Sequence, residues 1–260
     1  MSIYLDIIRF NFLRFLTYPI EIWAAIIKRV LNTGFLILFW SIIANSSNGS
    51  IHVSSLISYF LISSAIDDIV SAQALRFGKY LGDSIKKGTI NTYLIRPLSI
   101  IPYLYSSNVG ERSLSLILSS ITFMLGLIIS PPTSLASLLF FALFLTLALA
   151  ISLAFNLIIG IFYFYSPEAV NFRFTIGHII KVFSGAIVPI TFFPEGLRHL
   201  TLLSPFPGMV FAPVVSLHYT TLTNEIAQSL LINLLWAVLL LVIALAWWKK
   251  AIKNYDAIGI

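Results

Sequence analysis

The chain has 260 residues, 58% of them hydrophobic and only 10% charged, with a mean hydropathy of +0.96 and a formal net charge of +6. A water-soluble domain cannot hide that much apolar surface, so lipid must be the solvent for most of the chain. In that setting cytoplasmic loops and anionic headgroups explain the basic balance without nucleic acid, and the absence of cysteine removes disulfides and thiolate chemistry.

Residues 2–18 predict a helix lying in the membrane interface. Ser2, Asp6, Arg9 and Thr17 share one arc at the helical period, while Ile3, Ile7, Phe10 and Leu13 cover most of the rest. Asp6, Arg9 and Arg14 interrupt any compact apolar core, so a cleavable signal peptide is not expected. Pro19 should break or redirect this helix. A first span is expected from about Ile22 to Ala44, with Lys28 and Arg29 placed to snorkel towards headgroups. After the Ser/Asn/Gly loop at 45–50, a second span is expected from Val53 to Leu75, carrying the adjacent acids Asp67 and Asp68.

Residues 76–99 concentrate Arg76, Lys79, Lys86, Lys87 and Arg96 between apolar runs, which reads as a cytoplasmic segment. A third span is expected from Tyr105 to Ile129, with Glu111 and Arg112 in its first turns. Pro131 and Pro132 form a turn into a fourth span, Leu135 to Phe162. A short fifth span, Phe174 to Val188, contains the small residues Gly177, Ser184, Gly185 and Ala186, which suit a dimer seam or an internal helix contact.

Residues 184–213 then carry Pro189, Pro194, Pro205, Pro207 and Pro213 in a largely apolar stretch. So many prolines forbid one straight span, and the apolarity forbids an ordinary solvated loop. A pair of short helices or a re-entrant hairpin satisfies both constraints. The last span, Ile226 to Trp248, is closed by Lys249, Lys250 and Lys253. The expected architecture is therefore a single all-α membrane domain with six transmembrane helices, an N-terminal interfacial helix and an external hairpin between spans 5 and 6. Both termini are expected in the cytoplasm, because only Arg198 among the basic residues then falls in an external loop. No internal repeat of the kind seen in many secondary transporters is visible.

There is no G-x-x-x-x-G-K-[ST] sequence, no H-E-x-x-H and no G-x-S-x-G, so neither a catalytic centre nor a bound cofactor or metal is expected in this chain. Intramembrane charge is the costly feature. Asp67 and Asp68 belong either to a transport path or proton relay, or to ion pairs with Lys28, Arg29 or Arg112; being about 100° apart on a helix, they should not share one partner. Glu111 and Arg112 pose the same choice between a substrate site and a salt-bridged helix end.

Taken together, the stretch Ile85-Lys86-Lys87-Gly88-Thr89-Ile90-Asn91-Thr92-Tyr93-Leu94-Ile95-Arg96-Pro97, the hairpin motif Ser184-Gly185-Ala186 with Pro189 and Pro194, and the tail Tyr255-Asp256-Ala257-Ile258-Gly259 resemble ABC-2 family permeases, the type-2 class of ABC exporters. The closest likeness is to the branch in which paired permeases share a separate ATPase, with its I-x-x-G-x-[LI]-x-x-x-L-x-[RK]-P pattern. The resemblance implies that residues 83–97 form a coupling helix on a cytoplasmic ABC ATPase, which would hold the ATP and Mg. Asp83, Lys86, Lys87, Gly88, Ile90, Leu94, Arg96 and Pro97 would be the coupling residues. Gly88 would allow the turn, Ile90 and Leu94 would supply an apolar docking face, and Arg96 and Pro97 would end the element. Gly185, Pro189, Pro194 and Pro205 would shape a hairpin gating the exit. It further implies a second permease (a homodimer or heterodimer), a bacterial inner-membrane location, and export of a hydrophobic or amphipathic substrate. Residues alone leave two rivals: a secondary transporter or channel using Asp67 or Asp68, and a membrane-embedded enzyme using that acid pair with a metal. Equally, Lys86, Lys87 and Arg96 could rest on anionic lipid.

Overall fold

A computed structural model describes residues 2–46, 52–94, 99–166 and 169–253. They are almost entirely helical, with no strand among them. In chain order the helices are α1 (Ser2–Leu16), α2 (Pro19–Ser46), α3 (Val53–Lys86), α4 (Ile90–Leu94), α5 (Ile100–Glu111), α6 (Ser113–Ile129), α7 (Leu135–Phe162), α8 (Ala169–Phe183), α9 (Glu195–Leu203), α10 (Phe211–Ser216) and α11 (Asn224–Lys253). Short 3-10 turns occupy Ile190–Phe192 and Pro207–Met209.

Local sequence accounts for most of the boundaries. Pro19 opens α2, where its missing N–H costs nothing and its fixed φ suits the first turn. Ser134 and Ser137 cap the start of α7 reciprocally, each side chain accepting the other's backbone N–H. Gly88 (φ 68°) and Gly185 (φ 86°) follow the ends of α3 and α8 in the left-handed region, where a side chain would be strained.

Among the described residues four helices are long and apolar enough to cross a membrane: α2, the Val53–Val70 part of α3, α7 and α11. The expected third span is broken. α5 and α6 meet at Arg112 with a bend of 64°, so the pair makes a fifth crossing only if it is counted as one bent span. No proline lies at the joint; instead Ser113 Oγ turns back onto the carbonyls of Val109 and Gly110, and α1 presses on Gly110. The expected fifth span keeps its short length but lies five residues earlier, at Ala169–Phe183 instead of Phe174–Val188. α8 stops at Phe183, giving 15 residues, because Gly185 turns the chain before Val188 is reached; a perpendicular crossing needs about 20.

α3 is the axis of the fold. It has 34 residues, about 51 Å at helical rise, and so outruns a hydrocarbon layer of about 30 Å. One face lies on α7. There, a Cβ on Gly78 would sit 2.9 Å from the Asn156 carbonyl oxygen, and one on Gly82 would strike the Tyr163 ring. From the other side, a Cβ on Gly160 would meet Leu81. Ser152 Oγ donates to the Val70 carbonyl across the same seam at 2.9 Å. Small residues thus let the two backbones approach, as helix contacts in lipid require. A similar approach brings Gly126 of α6 onto Ile62, with Ser58 Oγ donating to the Gly126 carbonyl at 3.0 Å. α11 packs on the far side of α7, where the Asn233 side chain lies against Gly208.

Candidate functional site

Two groups of residues singled out by the sequence are positioned by α3: a turn at its C-terminal end and a charged cavity along its middle. At the turn, the Lys87 N–H donates to the Asp83 carbonyl at 3.0 Å and the Gly88 N–H to the Ile85 carbonyl at 3.1 Å. The backbone then reverses through Gly88, Thr89 Oγ1 donates to the Ser84 carbonyl at 3.3 Å, and α4 begins at Ile90. Leu81, Ile85 and Ile90 are buried together in the main apolar core. This corrects the expected role of Ile90. It does not face outward to dock a partner; it pins α4 to the protein's own core. What the turn offers outward is polar: Lys79, Lys87, Thr89 and Thr92 are exposed, and Asp83 is half-buried. The side chains of Lys86 and Leu94, and residues Arg96 and Pro97 entirely, lie outside the described residues, as does the C-terminal tail motif.

The cavity, about 670 Å³, lies between α2, α3, α8 and the α5–α6 joint. Its acids are Glu21, Asp67, Asp68 and Glu111, and its bases are Lys28, Arg29, Arg112 and Lys181. Asp68 is engaged through one carboxylate oxygen. Its Oδ2 lies 2.5 Å from an Arg29 guanidinium nitrogen, and Ser119 Oγ donates to the same oxygen at 3.3 Å. Arg29 donates further to Ser119 Oγ at 2.9 Å, Thr122 Oγ1 at 3.2 Å and the Ser64 carbonyl at 3.4 Å. One guanidinium thereby ties α2 to both α3 and α6. Its planar fork of donors suits that task better than a lysine ammonium would.

Asp67 behaves differently. It points to another neighbour, Lys181 of α8, at the longer distance of 3.5 Å. Its Oδ1 is buried without a hydrogen-bond partner, and the residue is only 8% exposed. The expectation that adjacent acids do not share one partner therefore holds, and Arg29 is among the partners the sequence suggests. Lys181 is not, because only tertiary packing brings it to a carboxylate 114 positions earlier. Glu111 pairs with Arg14 of α1, and Arg112 lines the cavity at the joint. Of the two readings open for this pair, a salt-bridged helix end is the one present at Glu111, with Arg14 supplying the bridge. Among the described residues no group of three or more His, Asp or Glu side chains is placed to hold a metal ion.

The proline-rich stretch divides into two parts. Gly185, Pro189 and Pro205 are buried, whereas Pro194 opens the exposed helix α9. Three aromatic donors hold its backbone: Tyr59 Oη on the Gly185 carbonyl at 2.7 Å, Trp40 Nε1 on the Ile187 carbonyl at 3.0 Å and Trp236 Nε1 on the Leu203 carbonyl at 2.9 Å. Carbonyls freed by proline-interrupted helix are thus satisfied from the neighbouring helices, as apolar surroundings demand. Ser184, Gly185 and Ala186, which the sequence offers as a dimer seam or an internal contact, are buried within this chain and form the root of the hairpin. Sequence reasoning misses these aromatic clamps, since a tryptophan in an apolar run gives no sign of its acceptor.

A comparison with protein families finds that residues 37–259 match the model described as ABC-2 family transporter protein. A comparison with curated proteins finds no match. The matched region takes in the C-terminal part of α2, the whole of α3, the hairpin and α11. Several membrane-capable apolar helices and a match over most of its length lead to one conclusion: this chain belongs to the ABC-2 transporter family, as a multi-pass membrane permease of an ABC transporter.

Proposed function

We propose that this permease serves an ATP-driven exporter, and that the α3–α4 turn docks on a separate cytoplasmic ATPase subunit, which holds the ATP and Mg. The observation that carries this reading is the continuity of α3. The helix that lines the charged cavity continues without a break beyond membrane depth and ends in a polar, partly basic turn. Force applied at Gly88 has a direct route to Asp67 and Asp68.

The reading takes α5–α6 as one broken span and α8 as a short one, giving six passes with α1 on the cytoplasmic surface and both termini inside. A second permease, identical or different, completes the pathway. The hairpin carrying Gly185, Pro189, Pro194 and Pro205 lies at the external exit, the substrate is hydrophobic or amphipathic, and the location is a bacterial inner membrane. Exposed apolar side chains along α2, α6, α7 and α11 supply the lipid-facing and subunit-facing surface this requires.

Co-expression with the ATPase tests it. Lys87→Glu reverses an exposed charge, and Gly88→Val strains the turn in open space without touching the core. Each should leave the permease folded while ATP hydrolysis loses its dependence on transport. The purified chain moving substrate alone in response to a pH gradient would overturn the reading in favour of a secondary transporter, for which the bare oxygen of Asp67 is the natural ion site. Asp67 supports that rival more directly than Asp68, one of whose oxygens is paired with Arg29.

A further inference from the structure

The charged cavity is larger than its internal ion pairs require. Arg29 and Asp68 close on each other and on the hydroxyls of Ser119 and Thr122, and Glu111 is drawn to Arg14 outside the cavity. Glu21 and Arg112 stand at the cavity wall, and facing the space between them are the Asp67 carboxylate, with one oxygen bare and the other held only at 3.5 Å, the half-exposed Lys181 and the exposed Lys28. A buried acceptor without a donor favours an N–H or O–H group brought by a ligand. The ammonium groups favour an anionic oxygen. Beside them the wall turns apolar at Phe35, Leu36 and Ile187, and the adjoining outer face of α2 exposes Ile27, Val30 and Leu31.

We propose that this cavity binds the headgroup of a net-neutral amphiphile carrying one cationic and one anionic group, with its apolar tail lying along α2. The cation approaches Asp67, and the anion lies between Lys28 and Lys181. A volume of about 670 Å³ suits a small headgroup rather than a macromolecule. Charge of both signs selects the class: a ligand of a single sign would meet either Asp67 or the ammonium groups of Lys28 and Lys181 as a like charge in a low-dielectric site. A zwitterion avoids both. That such a molecule is the transported cargo rests on the permease reading above; its binding does not.

The test uses the full chain in nanodiscs of phosphatidylglycerol, so that no zwitterionic lipid competes. Dodecylphosphocholine, dodecyl phosphate and dodecyltrimethylammonium share one tail and differ in headgroup; each is titrated below its micelle concentration, with the thermal midpoint and intrinsic fluorescence as readouts. The zwitterion should bind at least about tenfold more tightly than either probe of one charge sign, a difference of about 1.4 kcal/mol. Asp67→Asn and Lys181→Gln should each erase that preference, and Lys181→Arg should keep it. Equal binding of the three probes, a preference for either charged one, or a preference surviving both neutralising variants overturns the site. Lys181 is half-exposed, so Lys181→Gln remains decisive even where Asp67→Asn fails to fold. No ATPase enters the measurement. An ATPase that fails to partner the chain would remove the permease reading and leave binding untouched, whereas loss of headgroup preference would remove the site and leave coupling intact.

Discussion

The two sides of α3 are built on opposite principles. Towards α7 the contact is dry and close: Gly78, Gly82 and Gly160 bring the backbones together, and Ser152 bridges them with a hydrogen bond to the Val70 carbonyl. Towards α2 and α8 the contact is open and charged, held by one well-made ion pair at Asp68 and one loose pair at Asp67. A close-packed seam has no second arrangement of comparable energy, because moving either helix opens a void or creates a clash. A charged, half-open interface can exchange an internal partner for water or a ligand at small cost. The difference makes α3 and α7 the fixed frame, ties α2 to it through Arg29, and leaves α8, held by the loose Asp67–Lys181 pair, the element freest to shift.

Breaking the Arg29–Asp68 pair should have the largest effect on stability. Arg29→Met leaves the Asp68 carboxylate without its counter-ion beside an apolar helix, and should cost about 3 kcal/mol, with a fall in thermal midpoint of roughly 6–12 °C in detergent or nanodisc. Next comes the seam: Gly78→Val should cost about 2 kcal/mol by the same measurement, since the added Cβ meets backbone that cannot rotate away. Ser152→Ala should cost roughly 0.5–1 kcal/mol, one interhelical hydrogen bond, and should leave transport unchanged. The smallest shift is expected for Asp67→Asn, within about 0.5 kcal/mol, because its contact is long and Lys181 can turn to water. If Asp67→Asn proves as damaging as Gly78→Val, the loose pair on the open side is as rigid as the seam and the contrast fails.

Much of this is legible in the sequence, for identifiable reasons. Apolar runs interrupted by Pro19 and by Pro131-Pro132 delimit α2 and α7 closely, since proline acts locally and needs no tertiary partner. The cost of intramembrane carboxylates draws attention to Asp67 and Asp68 without any knowledge of the fold. Hydropathy cannot show where α3 ends. The expected span stops at Leu75 and the helix runs to Lys86, because a basic amphipathic sequence can continue a helix after leaving the apolar layer. Nor can it show the bend at Arg112, which depends on α1 lying across Gly110. Ile90 misleads for a related reason: its spacing from Leu94 defines a face, and only the packed structure says whether that face looks inward. The seam glycines are equally silent, since a glycine at an interhelical crossing and one on an open surface look alike in sequence.

The length of the α3–α7 seam has a mechanical meaning. It is made at Val70, Gly78, Leu81 and Gly82, so α3 is held along about 18 Å rather than at a point. Asp67 lies three residues before the first of these contacts, and Gly88 lies six residues after the last. A rod clamped over that length does not pivot, and the carboxylate and the turn keep their separation. Any change in the distance between Asp67 and Lys181 then comes from movement of α8 against α3.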